Sequence, residues 1–247
     1  MNRRDWCAAA AAWATGLPGA VRANQAPAVL QSVGIFSLLG NSVRVIAREV
    51  DEVMFKDIAM DDVALGSVQA AMQSLQPQAQ LGLYRSSEQV NVDDQVNLGA
   101  AAATRGSLPD WIARQAQTDG LTHALLITSS SGLLHFRTAM SQVVGNQRVT
   151  GVGFYVGADG RTTNLKTGDV SDGFLAPFVQ LRLTLVDAAK RNAVNSVTFG
   201  EGYIVGPPAK EAPDPWRFMN RAEKAEALKG LLKTNLPRGV EAVLKPR

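Results

Sequence analysis

The segment Phe178–Val186 is the feature that most narrowly constrains the fold of this chain. Its residues alternate, with Val179, Leu181, Leu183 and Leu185 on one side and Gln180, Arg182 and Thr184 on the other. Successive side chains of a β-strand point to opposite faces, so the pattern predicts an antiparallel strand with one buried face and one solvated face. The run Val194–Phe199 follows across residues 187–192, and we expect the two runs to form a long antiparallel hairpin.

Helical spacing appears earlier in the chain. Apolar residues recur at helical intervals from Asp61 to Gln76, with Asp61 or Asp62 as the expected cap. A second helix is predicted from Pro109 to about Gly120, with Trp111, Ile112 and Ala116 as its inner face. The strands Leu81–Tyr84 and His123–Thr128 follow these helices, and the second is apolar without alternation, as in a strand buried on both faces. Two successive helix-then-strand units predict a sheet with helices packed on it.

Turn-forming residues and prolines predict the connections. Gly40-Asn41 separates two β-prone runs, which favours a hairpin. Residues 157–173 are polar and are predicted to form a long loop. Strands are expected at Leu133–Arg137 and Arg148–Val156. Asp214-Pro215 is predicted to cap a C-terminal helix that Pro237 breaks.

The predicted fold class is therefore α/β (α+β). We expect a mixed sheet with helices packed on it, a long antiparallel hairpin in the second half and a C-terminal helix. The expected domain organisation has four parts, which are an export signal at 1–23, an α/β domain at 24–206, a Pro-rich linker at 207–215 and a helical element at 216–247 packed on the domain.

The N-terminal 23 residues have the three-part form of a secretory signal. A positive start precedes a short alanine-rich stretch, which Thr15, Gly16 and Pro18 interrupt long before the roughly 20 residues that a membrane-spanning helix needs. The small-residue end predicts cleavage between Ala23 and Asn24. The adjacent Arg3-Arg4 pair resembles a twin-arginine export signal, and ordinary Sec export is the alternative. Either route places the mature chain in the bacterial periplasm.

The composition of the mature chain excludes several kinds of chemistry. Cys7, the only cysteine, precedes the alanine-rich stretch and is therefore not a lipidation site, and its removal with the leader excludes disulfides and thiol catalysis. The leader also holds three of the 25 basic and one of the 22 acidic residues, which leaves the mature chain a net charge of +1. This balance does not indicate a nucleic-acid partner. No later apolar run reaches membrane-spanning length.

No catalytic or metal-binding motif is found, and no cofactor is predicted. Ser129, Ser130 and Ser131 follow a predicted central strand, where open α/β sheets bind ligands. A secreted serine hydrolase would need one of them to be activated by His135, because His123 lies in the same strand as Ser129, roughly 20 Å away. No Gly-x-Ser-x-Gly motif surrounds these serines, and the two histidines lack metal-ligand spacing.

Two segments are candidate binding surfaces. Phe154, Tyr155 and Phe174 flank the predicted 157–173 loop and are expected to form an aromatic lip for a partner. From Arg217 onward the chain holds eight Lys or Arg residues and three Glu, so this basic end is a candidate for peripheral contact with anionic lipid or cell-wall polymers. Exposed helix faces commonly have such charges without a binding role.

The order of elements resembles a known envelope domain. The strand THALLITSSSG and the pair FVQLRLTLVDAAKRNAVNSVTF, followed by a closing helix, are similar to the amino-terminal α/β domain of TolB and to related curli-secretion lipoproteins. The resemblance covers about residues 29–205, implies a periplasmic α/β module and identifies no binding residue.

We therefore expect an exported soluble periplasmic protein that acts as a non-catalytic binding or assembly module of the cell envelope. Its partner would be an envelope protein or a cell-wall component. A secreted serine hydrolase and a small-ligand carrier remain as alternative functions.

Overall fold

The computed structural model describes residues 30–47, 50–54, 59–86, 90–137, 143–163, 168, 170–206 and 214–245. The predicted leader, including Arg3, Arg4, Ala23 and Asn24, lies outside these residues, as does most of the predicted linker. The strands are β1 Ser32–Ser37, β2 Ser42–Ile46, β3 Val50–Met54, β4 Gln80–Arg85, β5 His123–Ser129, β6 Ser131–Arg137, β7 Val143–Thr163, β8 Val170–Asp187 and β9 Asn192–Gly202. The helices are α1 Met60–Leu75, α2 Val92–Arg105, α3 Asp110–Thr118 and α4 Arg221–Leu244, with a 3₁₀ helix at Pro215–Phe218.

These strands form one mixed sheet, which confirms the predicted fold class. The main order is β3-β2-β7-β8-β5-β1-β4, with β6 paired to β7 and β9 paired to β8. β1 runs parallel to both β4 and β5, whereas β8 is antiparallel to β5, β7 and β9. β8 therefore joins the parallel strands β5, β1 and β4 to the rest of the sheet, in which β2 runs parallel to β7.

The helices cover both faces of the sheet. α1 and α4 pack on one face, in a core that includes Ile35, Leu125 and Leu183. A second core on the other face includes Phe36, Ala102 of α2 and Ile112 of α3. The run 124–127 of β5 is fully buried between these layers, as its continuous apolar sequence predicted. None of the described helices is long and apolar enough to span a membrane.

The predicted hairpin of β8 and β9 is confirmed, but the polar face of β8 is not solvated. Thr184 lies opposite Ser196, and their hydroxyl groups are 3.0 Å apart. Gln180 is only 6% exposed and Thr184 only 1%. α2 packs on this face, and Arg182 Nε and the Thr184 hydroxyl bond to Thr198 and Ser196 of β9, where the alternation had predicted bonds to water.

The predicted hairpin around Gly40-Asn41 is wrong. β1 pairs with β4 and β5, whereas β2 pairs with β3 and β7, so this turn carries the chain to a different part of the sheet. Gly40 has the positive φ of 61° that such a turn uses. The carboxylate of Asp61 accepts hydrogen bonds from Ser37 Oγ at 2.5 Å and from Gly40 N at 3.1 Å. Asp61 therefore stabilises the turn instead of capping α1, whose N-cap residue Ala59 makes no side-chain bond.

The predicted polar loop at 157–173 is largely β-structure. β7 extends to Thr163 and β8 begins at Val170, with Arg161 opposite Asp172 and Thr163 opposite Val170. A register shift separates Gly157 from Arg161. Backbone pairing does not require apolar side chains, so a two-stranded ribbon can be polar, and polarity alone wrongly indicated a loop.

The C-terminal helix begins later than predicted and continues past Pro237. Asp214 caps the 3₁₀ helix by accepting a bond from Trp216 N at 3.0 Å, and a capping box between Asn220 and Glu223 starts α4. Leu236 and Val240, on either side of Pro237, are fully buried in the core. Their packing offsets the backbone hydrogen bond that proline cannot donate.

Candidate functional site

The predicted serines lie where the strand pairing changes. Ser129 ends β5 and Ser131 begins β6, and Ser130 between them bonds to both β8 and β7. The amide of Ser130 donates to the Gln180 carbonyl at 3.0 Å, and the Ser130 carbonyl accepts from Gly151 N at 3.0 Å. At this point the chain stops pairing with β8 and starts pairing with β7.

The serines are not assembled with an imidazole. Ser129 Oγ donates to Gln95 Oε1 of α2 at 2.6 Å, and Ser131 Oγ lies 2.8 Å from Thr150 Oγ1. His135 is exposed on β6, four residues beyond Ser131, which corresponds to about 13 Å along a strand. His123 Nδ1 lies 3.0 Å from Thr122 Oγ1. The charge-relay arrangement of a serine hydrolase is therefore not formed between the predicted residues.

The polar groups beneath α2 form a closed contact between this helix and the sheet. Thr128 Oγ1, Ser130 Oγ and Arg182 Nη1 are buried and have no hydrogen-bond partner within the part of the chain that the structure describes. α2 approaches closely at Gly99, where a Cβ atom would lie 2.2 Å from Thr128 Oγ1. The close contact leaves no room for a ligand between Gly99 and Thr128, so we interpret these groups as part of helix packing.

The predicted aromatic lip is divided between two cores. Phe154 is fully buried and packs edge-on against Trp216 at 5.5 Å between ring centroids. Phe174 is buried and stacks on the half-buried Tyr155 at 5.8 Å, on the far side of the sheet from Phe154. Contact of these three residues with a partner stays a prediction, and Tyr155 is the member that retains the most exposure.

A groove at the opposite edge of the sheet has features of a binding surface. It lies between β4 and α3 and has a volume of about 520 Å³. Leu83, Tyr84, Arg85, Trp111, Arg114, Gln115 and Thr118 line it. Its apolar wall is well ordered by packing, because the Tyr84 ring stacks on Phe36 at 4.6 Å and Phe36 contacts Trp111 at 5.8 Å.

β4 presents an open strand edge along this groove. Within the described residues β4 pairs only with β1. The amides of Gln80 and Ser86 donate to β1-side carbonyls of Gln31 and Ser37. Backbone direction alternates along a parallel ladder, so the amides and carbonyls of Leu81, Leu83 and Arg85 point away from β1. The Leu83 side chain is 41% exposed beside this edge.

The groove lining carries two cations. Arg114 is exposed on α3, and no ion pair to it is found among the residues that the structure describes. Arg85 forms an ion pair with Asp62 at 3.3 Å, and both side chains are exposed. Exposed pairs of this kind contribute little free energy, so an incoming anion can replace Asp62 at low cost.

A tyrosine and a carboxylate close one end of the groove. Asp119 accepts hydrogen bonds from Tyr84 Oη and from Gln115 Nε2. The Tyr84 bond holds the pKa of Asp119 below its usual value. Burial, the same hydrogen bond and the charge of Asp119 raise the pKa of Tyr84 to about 12. The phenol therefore stays protonated at neutral pH and keeps donating to Asp119.

A smaller cavity of about 340 Å³ lies between the end of α2 and the start of α3. Arg105 and Arg191 line it together with residues 106–108. Gly106 has a positive φ of 63°, and a Cβ atom there would lie 2.2 Å from the Arg191 carbonyl oxygen. This contact joins α2 to the β8–β9 turn.

The basic end of the chain is largely paired within the protein. Lys229 bonds Glu226 at 2.9 Å, Lys245 bonds Glu241 at 2.9 Å, and Arg238 lies 3.8 Å from Glu201. No group of three metal-ligating side chains is found in the described segments. Membrane contact through this end stays a prediction.

Sequence reasoning did not identify the β4–α3 groove. The strand Leu81–Tyr84 and the helix carrying Trp111 were both predicted, but their positions at a sheet edge depend on the order of strands. The local feature that could have indicated it is Leu83, which follows Leu81 by two positions. The strand is too short for the sequence to show which of its side chains are buried and which are exposed.

No protein-family model and no curated protein matches the sequence. Several solved bacterial structures are similar at low identity. A DUF330 protein from Xanthomonas campestris is 11% identical, covering 87% of this chain and 84% of that one, with a TM-score of 0.38. A putative neuraminyllactose-binding hemagglutinin homologue from Helicobacter pylori is 7% identical, covering 90% and 84%, with a TM-score of 0.32. A lipoprotein from Neisseria meningitidis is 14% identical, covering 70% and 83%, with a TM-score of 0.23. TM-scores at this level establish no shared function.

Proposed function

We propose that this chain is exported from the bacterial cytoplasm and acts in the cell envelope as a non-catalytic binding module. The observation that carries the proposal is the open edge of β4 beside a groove with an aromatic wall and two arginines. An exposed strand edge is a surface that proteins normally cover or use for binding. We place the partner contact there.

The leader supports the envelope location. Its positive start, short apolar middle and Ala23-Asn24 junction are the parts of a cleaved export signal. We further propose that the Arg3-Arg4 pair directs export through the twin-arginine route and that cleavage releases the mature chain into the periplasm. The resemblance to the TolB amino-terminal domain agrees with a role in envelope assembly.

Export can be tested on the full chain. Cells producing it are fractionated, and the intact mass of the periplasmic product is measured. We expect a mature chain that begins at Asn24. Replacement of both arginines by lysine, as Arg3→Lys with Arg4→Lys, should abolish twin-arginine export and leave Sec export intact, since Sec signals require only positive charge. A native product retaining Met1 in the cytoplasm would contradict the proposal.

Partner binding can be tested with a photo-cross-linking amino acid at Leu83. The matched control is the same substitution at Leu133, which is 60% exposed on β6 in another part of the sheet. We expect a discrete cross-linked envelope product from position 83 and none of that size from position 133. Equal products from both positions would show non-specific contact.

The non-catalytic part of the proposal is tested by replacing both histidines. His123→Gln with His135→Gln should leave the position-83 product unchanged, because neither imidazole lines the groove. A hydrolase dependent on His135 would lose its function in the same variant.

A further inference from the structure

We propose that the β4–α3 groove binds an extended, acidic polypeptide segment, which adds to the sheet as a strand beside β4. This inference rests on the proposed function and names the partner chemistry of the same site. It follows from the direction of the backbone groups of β4, from the charge of the groove and from the shape of its wall.

The backbone of β4 is arranged to pair with another strand. Leu81, Leu83 and Arg85 direct their amides and carbonyls away from β1, and no second strand pairs with them within the described residues. Strand addition to such an edge provides main-chain hydrogen bonds that do not depend on partner sequence. Pairing also requires an extended partner, because a helix has already used its backbone groups.

The charge of the groove selects among extended segments. Among the described residues that line it, Arg114 and Arg85 are the charged ones. Asp119, at its end, already accepts hydrogen bonds from Tyr84 and Gln115. An acidic side chain on the α3 side of the added strand would meet Arg114, and one near the C-terminal end of β4 would compete with Asp62 for Arg85. A basic segment would instead face two like charges.

The wall of the groove accommodates alternating apolar residues. Side chains on one face of an added strand would lie along Tyr84 and Trp111, which are held in place by Phe36. Those on the other face would lie beside the exposed Leu83. The expected partner therefore carries apolar and acidic residues within one extended segment, as an edge strand or an unstructured tail of an envelope protein can. In an alternating segment the acidic residues can lie on the α3 side, near Arg114, with the apolar residues beside Leu83.

The test uses the mature chain and labelled peptides of alternating Val and Glu, with binding followed by fluorescence anisotropy. Two further peptides carry N-methyl groups on alternate residues, in the two possible frames. One is methylated at every Val and the other at every Glu. Only one frame directs its amides at β4, so we expect one methylated peptide to bind about as well as the parent and the other to bind at least about tenfold more weakly. Equal affinities for both frames, or no binding of the parent peptide, would overturn strand addition.

Substitutions in the groove test the same strand pairing and charge preference with the peptide unchanged. Leu83→Pro removes an amide that points outward and spares the ladder to β1, so it should weaken binding about tenfold without loss of the fold. Arg85→Glu combined with Arg114→Glu should reverse the preference, so that a Val-Lys peptide binds more tightly than the Val-Glu peptide. Arg148→Glu, an exposed position on β7 across the sheet, is the matched control and should leave the preference unchanged.

The outcomes separate this inference from the proposed function. A cross-link from position 83 that the charge reversal leaves unchanged, together with a Leu83→Pro chain that binds the Val-Glu peptide as tightly as the unsubstituted chain, would overturn strand addition and retain the binding module. A chain that stays in the cytoplasm and still binds the Val-Glu peptide in one methylation frame would retain strand addition and overturn the envelope role.

Discussion

The packing of α2 on the sheet depends on the absence of a side chain at Gly99. A Cβ atom at this position would lie 2.2 Å from Thr128 Oγ1 and 3.2 Å from Thr128 Cβ, whereas real Cβ contacts are essentially never shorter than 3.0 Å. In Gly99→Ala the helix and β5 must therefore separate by about 1 Å, or Thr128 must leave its rotamer.

The expected cost follows from two opposing effects. Overpacking of this kind costs about 1–3 kcal/mol, while alanine is better than glycine in a helix interior by about 1 kcal/mol. We expect Gly99→Ala to lower the free energy of unfolding by about 1 kcal/mol. Thr128→Ala alone should be nearly neutral, because it removes a buried hydroxyl that has no partner within the described residues but also leaves a small void.

The double variant distinguishes this explanation from a general effect of substitution. With Oγ1 gone, the tightest contact of the new methyl group is with the Cβ of residue 128 at 3.2 Å, which a shift of a few tenths of an ångström relieves, while Arg182 Cδ at 3.6 Å is an ordinary contact. Gly99→Ala with Thr128→Ala should then be more stable than Thr128→Ala alone by up to about 1 kcal/mol. The coupling energy between the two sites should be about 2 kcal/mol, which is within the range for residues in contact.

Denaturant unfolding of the mature chain, followed by circular dichroism, measures these differences for the four proteins of the cycle. The matched control is Gly230→Ala, since Gly230 lies inside α4 and an added Cβ there would have no neighbour within 4 Å among the residues that the structure describes. This control should gain about 1 kcal/mol from helix propensity alone. The reasoning is refuted if Gly99→Ala gains stability as Gly230→Ala does, or if the two substitutions of the cycle are additive.

Three further substitutions have defined outcomes. The pKa of Tyr84 is raised to about 12, so the stabilising contribution of its phenol is present below pH 10 and is lost as the pH rises from 10 towards 12. The Tyr84→Phe variant should therefore lose less unfolding free energy at alkaline pH, as measured by denaturant titrations at several pH values. Lys224 is 5% exposed and donates hydrogen bonds to the carbonyls of Trp216 and Met219. Lys224→Met should lower the free energy of unfolding by about 1–3 kcal/mol and increase hydrogen exchange in residues 215–219. Lys229→Met, the control, should change the free energy of unfolding by no more than about 0.5 kcal/mol. Pro237→Ala restores an amide inside α4 and should raise the melting temperature by an amount equivalent to about 1–3 kcal/mol; a lower melting temperature would show that the helix is adapted to the proline ring.

Elements with a long, regular local pattern could be predicted from the sequence. The alternation in β8 and the apolar run in β5 both correspond to strands, because side-chain direction in a strand depends only on position along the chain. The helical spacing before Pro77 corresponds to α1 in the same way. In each case the deciding interaction lies within one element.

Relations between elements could not be predicted in the same way. Gly40 and Asn41 form a turn, but residues that favour a tight turn do so whether the next strand pairs with the preceding one or lies elsewhere in the sheet. The proline in α4 is tolerated because of tertiary burial of Leu236 and Val240, which local propensity does not include. The sheet edge that forms the candidate groove depends on the same non-local order.

The polar face of β8 shows why polarity did not locate the binding surface. Gln180 and Thr184 suggested contact with water, yet both are buried. The sequence 99–103, Gly followed by four alanines, provides a helix that lies close over Thr128 and Arg182. One surface left open among the described residues is the edge of β4, whose side chains are mixed in polarity and whose free groups belong to the backbone. Backbone groups are the same for every residue except proline, so an open strand edge leaves little trace in composition or charge. The candidate site could therefore be recognised only after the neighbours of β4 were known.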